Sequence, residues 1–268
     1  MRISLLHATY RNPEAAIAVR THWFRTAVNS DVVEHIYAID DDDDATLRVT
    51  EGFRRIVSAA RPEVTSVRNW NAAAALASGD LLVVIADDLY PPAGWDQLLA
   101  SAVGRLDPSR VAFALNVHDG TGEADVLMRH PVISREFFRR LGLFAPQFRG
   151  VYCDNDITIR AFSKAFIIDS SDIALRHEHP DFEDREFSES QRAVNASSEY
   201  QFGFDTLTST WPDRLRTRRI FMLPPHRFLG IPLLRGASCA AIRSYSNLRW
   251  LARQVRSKVR RPRPRQSG

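Results

Sequence analysis

Leu81-Leu82-Val83-Val84-Ile85-Ala86-Asp87-Asp88 is a short apolar run, rich in branched residues, that ends in two adjacent carboxylates. Pro91, Pro92 and Gly94 follow as turn formers. A run of that length and composition predicts a strand buried on both faces rather than a helix. In open α/β sheets, ligands sit just beyond the carboxyl ends of such strands. Two acids at that place suit a hard divalent cation that also holds phosphate oxygens. The plainer alternative is a strand end whose acids open a solvated loop.

The elements around this strand alternate. Residues 3–8 read as a first strand. Residues 13–28 have helical spacing (Ala16, Val19, Trp23, Ala27) behind Pro13. A second strand over 32–39 runs into five consecutive acids, Asp40 to Asp44. A helix over 46–60, a short strand over 64–67 and an alanine-rich helix over 70–78 closed by Gly79 come next. Beyond the acids lie a helix over 94–106 and a strand over 111–117. This alternation predicts an α/β fold with a mostly parallel sheet covered by helices on both faces. The later pattern is less regular, with short elements over 126–129, 134–141, 155–164, 166–168 and 173–175. A polar, largely helical stretch over 182–206 follows them.

Length and composition fit a globular chain: 268 residues, 44% hydrophobic and 25% charged. No run of eighteen apolar residues suggests a spanning helix, and the first residues lack the pattern of a signal peptide. Cys153 and Cys239, far apart and without CxxC spacing, argue against a zinc site or a disulfide scaffold. The cytoplasm is the default compartment. The net charge of +4 conceals a split. Residues 211–268 hold 15 Lys and Arg against one acid, Asp213, whereas 1–210 hold 21 basic against 31 acidic residues. An acidic body of 1–210 and a basic extension of 211–268 follow. In the extension, Ala241, Tyr245, Leu248, Ala252, Val255 and Val259 share one helical face with the basic residues turned away, a pattern that suits an anionic membrane surface. Peripheral attachment to the cytoplasmic face is therefore expected. Nucleic acid is the less favoured partner, and the oligomeric state is not readable.

The candidate site residues are Thr9, Tyr10 and Arg11 after the first strand, Asp40 after the second, and Asp87 and Asp88 after the buried one. Asp154-Asn155-Asp156 with Arg160, and His177-Glu178-His179-Pro180, come later. In this order the sites resemble a family 2 glycosyltransferase of the GT-A fold over about residues 1–205. The most specific part of the likeness is Asn71-Ala72-Ala73-Ala74-Ala75-Leu76-Ala77-Ser78-Gly79-Asp80, then the strand, the acid cluster, the proline turn and Gly94-Trp95. The sequence departs from the family pattern at Ala86, where an Asp is frequent.

The resemblance implies an inverting, metal-dependent enzyme that moves a sugar from a nucleoside-diphosphate sugar to a hydroxyl, on a glycan or lipid-linked glycan. It implies that Thr9, Arg11, Asp40, Asn71 and Asp87 face the donor. Asp88 would hold Mn2+ or Mg2+ with His177 or His179, His177 being preferred. Asp156 would be the catalytic base, with Asp154 as the alternative; Asp154 also suits a helix N-cap. Most of Asp40 to Asp44 reads as solvated loop, with Asp40 or Asp41 reaching the ligand. Arg129-His130-Pro131 resembles the acceptor-flanking segment, and Trp95 is expected to pack beneath the acid cluster. A different class of function, an inactive binding module docked by its basic tail, draws its support from Ala86. No P-loop, GxGxxG, GxSxG or HExxH occurs in the sequence, which disfavours kinase, dehydrogenase, serine-hydrolase and zincin chemistry.

Overall fold

The structure is a computed structural model that describes residues 1–119, 127–178 and 186–211. Its strands are β1 (Ile3–Ala8), β2 (Val33–Asp40), β3 (Arg55–Ser58), β4 (Leu81–Ile85), β5 (Leu89–Tyr90), β6 (Phe113–His118), β7 (Val132–Ser134), β8 (Phe166–Ala174) and β9 (Arg176–His177). The helices are α1 (Pro13–Thr26), α2 (Asp44–Val49), α3 (Ser66–Leu76), α4 (Trp95–Val103), α5 (Arg135–Leu141), α6 (Cys153–Lys164), α7 (Glu189–Val194) and α8 (Ser197–Thr210). Seven strands form one sheet in the order β3-β2-β1-β4-β7-β6-β8, and β5 pairs with β9 in a separate ribbon. β1 to β4 are parallel neighbours, with Ile3 opposite both Val33 and Leu81. β7 runs antiparallel between β4 and β6, so the sheet is mixed but mostly parallel.

β4 is buried at all five positions, as its apolar run predicts. Side chains alternate across a strand, so the run supplies both layers of core. Leu82 and Val84 join Leu6, Ile36, Ala38 and Ile133 on one face, under Val67 and Ala73 of α3, Phe137 of α5 and Ile157 of α6. Leu81, Val83 and Ile85 join Ile3, Leu5, Phe113 and Leu115 on the other, under Trp23 of α1 and Trp95 and Leu99 of α4. Each such side chain stabilises the fold by roughly 1.5–3 kcal/mol on burial.

Several local expectations are corrected. The helix expected over 46–60 stops at Val49, because Thr46, Val49 and Thr50 are β-branched and Gly52 takes φ +81°. Arg55–Ser58 then adds a strand to the sheet beside Tyr37–Asp40. The strand expected over 64–67 is instead the approach to α3, in which Val67 is a buried helical residue. α3 ends at Leu76, so Gly79 is not its cap. Gly79 is small for a packing reason: a Cβ there would stand 2.4 Å from Ser4 Oγ. Ser134 is a strand end that caps α5, accepting the Phe137 N–H at 3.0 Å. The separate elements over 166–168 and 173–175 fuse into β8, and the helical stretch over 182–206 resolves into α7 and α8. The basic helix and tail of the extension lie outside the described residues. Among the described residues, no helix is long and apolar enough to cross a membrane.

Candidate active site

Because β1, β2 and β4 are parallel, Thr9 to Arg11, Asp40, and Asp87 with Asp88 share the carboxyl edge of the sheet. The chain around the acids is pinned from both faces. Trp70 donates its indole N–H to Ile85 O at 3.1 Å, and Trp23 donates to Leu89 O at 2.8 Å. Trp95 supports Trp23 from below, donating to Trp23 O at 2.9 Å with the rings edge to face at 4.8 Å. Trp95 is a core residue, and Trp23 is a support the sequence reading missed.

Asp87 turns toward β1. His7 Nε2 lies 2.8 Å from Asp87 Oδ1, and Thr9 Oγ1 donates to Oδ2 at 3.0 Å. Burial raises the Asp87 carboxyl pKa; the His7 and Thr9 contacts oppose that rise. Asp88 turns toward the late part of the chain. The β5–β9 ribbon sets Leu89 opposite His177, and Glu178 N–H donates to Asp88 O at 2.8 Å. His177 Nε2 thereby stands 3.4 Å from Asp88 Oδ1. Gln191 of α7 donates to Asp88 Oδ2 at 2.9 Å. The same glutamine closes a capping box with Ser188, which fixes its backbone while its amide reaches the acid. His130 packs edge to face on His177 at 4.8 Å, and neither of its ring nitrogens has a hydrogen-bond partner. Burial and the His177 neighbour push its pKa down to about 3.

A carboxylate oxygen and an imidazole nitrogen that converge in this way suit a Mn2+ or Mg2+ ion whose other ligands come from a diphosphate. Among the described residues, no group of three His, Cys, Asp or Glu side chains is arranged to hold a metal alone. His179 lies outside the described residues.

Asp40 is buried at the end of β2 and accepts from Thr65 Oγ1 at 2.5 Å, Arg68 at 2.7 Å and Asn69 Nδ2 at 2.9 Å. The asparagine of α3 that reaches the edge is thus Asn69. Asn71, two residues on, bridges the Phe144 backbone at both its N–H and its carbonyl, 3.0 and 2.9 Å away. Of the remaining acids, Asp41, Asp42 and Asp44 are exposed, but Asp43 is buried. Asp43 caps α2 and accepts the Arg11 N–H at 2.5 Å. The Arg11 side chain is exposed and reaches Glu189 of α7 at 2.7 Å and Asp42 at 3.3 Å.

The two acids of α6 differ in their surroundings. Asp156 is 1% exposed. Its Oδ2 accepts from Arg160 Nε at 2.7 Å and its Oδ1 from the Trp211 indole at 2.9 Å. Arg160 is fixed in turn by the Leu141 and Leu143 carbonyls. Both carboxylate oxygens of Asp156 are thus engaged by partners within the fold. Asp154, half-buried in the first turn of the same helix, accepts the Asn155 N–H at 2.9 Å. Thr158, one turn on, accepts the Met128 N–H at 3.0 Å, which ties this helix to the segment carrying His130. Arg11 and Tyr152 are the non-glycine residues at positive φ, 51° and 67°, among the described residues. Arg11 follows β1 at the carboxyl edge and Tyr152 precedes α6, and such backbone strain clusters at functional sites.

No family model and no curated protein matches the sequence. Solved structures do. The chain is similar to TarS 1–349 of S. aureus in complex with UDP-GlcNAc, with TM-score 0.59, 13% identity, and coverage of 82% of this chain and 70% of that one. It is also similar to the mannosyltransferase PcManGT of Pyrobaculum calidifontis in complex with GDP-Man and Mn2+, with TM-score 0.53, 14% identity, and coverage of 98% and 76%. The mixed sheet with its helices on both faces is therefore the GT-A fold of nucleotide-sugar glycosyltransferases.

Proposed function

We propose that the chain is a metal-dependent, inverting glycosyltransferase that moves a sugar from a nucleoside-diphosphate sugar to a hydroxyl on a glycan or lipid-linked glycan. The observation that carries this reading is the meeting of Asp88 with His177 at 3.4 Å on the carboxyl edge, where residues from β1 and β2 also end. Relatives in fold have been solved with UDP-GlcNAc and with GDP-Man and Mn2+, which supports a sugar nucleotide as donor.

In this mechanism Thr9, Asp40 and Asp87 line the donor, and Arg11 borders it. Asp88 and His177 would hold Mn2+ or Mg2+, and the cation would supply positive charge to the leaving diphosphate. Asp154 takes the proton of the acceptor hydroxyl. The acceptor oxygen bonds to the anomeric carbon as the bond to the diphosphate oxygen breaks, so the configuration inverts in one displacement. The basic residues 211–268 attach the enzyme to an anionic surface, and salt-sensitive sedimentation with anionic liposomes tests that part separately.

The test is release of nucleoside diphosphate from UDP- and GDP-sugars with Mn2+. Wild type should release it, and Asp88→Asn should not while keeping its melting temperature. No release from any sugar nucleotide, or equal release by the variant, contradicts the assignment.

A further inference from the structure

We propose that His7, backed by His35, is a positioning residue that holds the Asp87 carboxylate in its donor-facing orientation; the inference rests on the donor role proposed above for Asp87. The two imidazoles sit on adjacent parallel strands, where Leu5 is opposite His35 and His7 opposite Tyr37. Both are buried among the side chains of the α1 and α4 face, His7 completely. An apolar residue would fill either position without the cost of desolvating a ring nitrogen. The contacts account for the departure: His7 Nδ1 meets His35 Nε2 at 3.0 Å, and His7 Nε2 meets Asp87 Oδ1 at 2.8 Å.

The direction of the last bond follows from the chemistry of the groups. With Asp87 ionised, its carboxylate only accepts, so the proton lies on His7 Nε2. A neutral His7 then has a lone pair on Nδ1, and His35 donates to it from Nε2. If His7 instead carries both protons, it donates to Asp87 and to His35 together. Under either arrangement His7 donates to Asp87. The cost falls on His35 Nδ1, which is buried without a partner. Tyr37 leaves His7 little freedom to turn, with ring centroids 5.2 Å apart and its own hydroxyl fixed to Ala16 O at 3.1 Å. Asp87 is therefore clamped between a buried imidazole and Thr9, while its neighbour Asp88 faces the opposite partner set.

Calorimetric titration with UDP and GDP in the presence of Mn2+ tests the inference, together with steady-state kinetics and 15N spectra of the imidazoles. His7→Leu should weaken binding of whichever nucleotide wild type takes by about tenfold, the scale of one hydrogen bond to a charged group. It should raise the sugar-nucleotide KM while changing kcat by less than about threefold. His7→Gln, which offers an amide N–H near the Nε2 position, should recover most of the loss. His35→Leu should weaken binding in the same direction by less. The wild-type spectrum should show a protonated His7 Nε2. Unchanged affinity in a folded His7→Leu, a failure of His7→Gln to rescue, or a bare Nε2 overturns the relay. If wild type binds neither nucleotide, the proposed function fails by itself, and the imidazole spectrum still decides whether His7 donates. If His7→Leu does not fold, the spectrum and His35→Leu decide it.

Discussion

Glu34 and the Asp87–Asp88 pair stand at opposite ends of one sheet, and they differ in where their partners come from. Glu34, at the amino edge, accepts from Ser4 Oγ at 2.5 Å, Ser78 N at 2.6 Å and Gly79 N at 2.9 Å, and pairs with Arg54 at 2.5 Å. These donors belong to the core strands and their connections. Burial alone would raise the Glu34 carboxyl pKa; the Ser4 and Ser78 donors and the Arg54 charge outweigh it and hold it below the usual carboxylate range. Asp88, at the carboxyl edge, meets side chains of β9 and α7, from a much later part of the chain. Fixed backbone and core groups satisfy the first acid and staple the sheet. Side chains of a ribbon and a short helix meet the second.

The largest expected effect is at the stapled end. Glu34→Ala takes the carboxylate acceptor from the Ser4 hydroxyl, the Ser78 N–H and Arg54, and should cost roughly 3 kcal/mol in denaturant unfolding. Nucleotide affinity of the folded protein should not move. A loss below about 1 kcal/mol would break the comparison. The pH dependence follows from the lowered Glu34 pKa. Its stabilisation is full above the unfolded pKa and is lost as pH falls through the folded value. Glu34→Gln should therefore flatten the acid limb of the stability profile.

Next in size is the split between the acids of α6. Asp154→Asn should lower kcat by about 10²-fold, near 2.7 kcal/mol, without changing the melting temperature. Asp156→Asn should do the reverse, lowering stability by leaving the Arg160 charge buried without its counter-ion. Kinetic loss confined to Asp156→Asn would make Asp156 the base instead. The smallest effect concerns α7. Gln191→Leu removes a neutral donor from Asp88 and should change stability by less than about 1 kcal/mol. It should tighten Mn2+-dependent nucleotide binding roughly threefold, because one competitor for the acid is gone. Weaker binding would mean that Gln191 helps to place the acid.

The fold was legible where one physical signal dominated. The run Leu81 to Ile85 has a single good solution, a strand buried on both faces, and the acids after it must then lie on the edge. Signals that competed were misread. Residues 46–60 carry helical spacing, but β-branching and a glycine at positive φ divide them into a short helix and a strand. Gly79 looked like a helix cap and is a packing requirement, visible only once Ser4 stands beside it. Asp154 and Asp156 are alike in one dimension. Arg160 and Trp211 distinguish them, and the Trp211 contact joins the two ends of a long segment. His7 was legible in principle, as a titratable residue inside an apolar strand, but its partners His35 and Asp87 come from two other strands.

The central claim is that Asp88 makes the carboxyl edge a metal-dependent nucleotide site. Calorimetric titration of UDP and of GDP into wild type and into Asp88→Asn, each with Mn2+ and with EDTA, tests it most directly. The account predicts binding of one nucleotide by wild type with Mn2+, and loss of that binding with EDTA and in the variant. Nucleotide binding that is indifferent both to Mn2+ and to Asp88→Asn would contradict it.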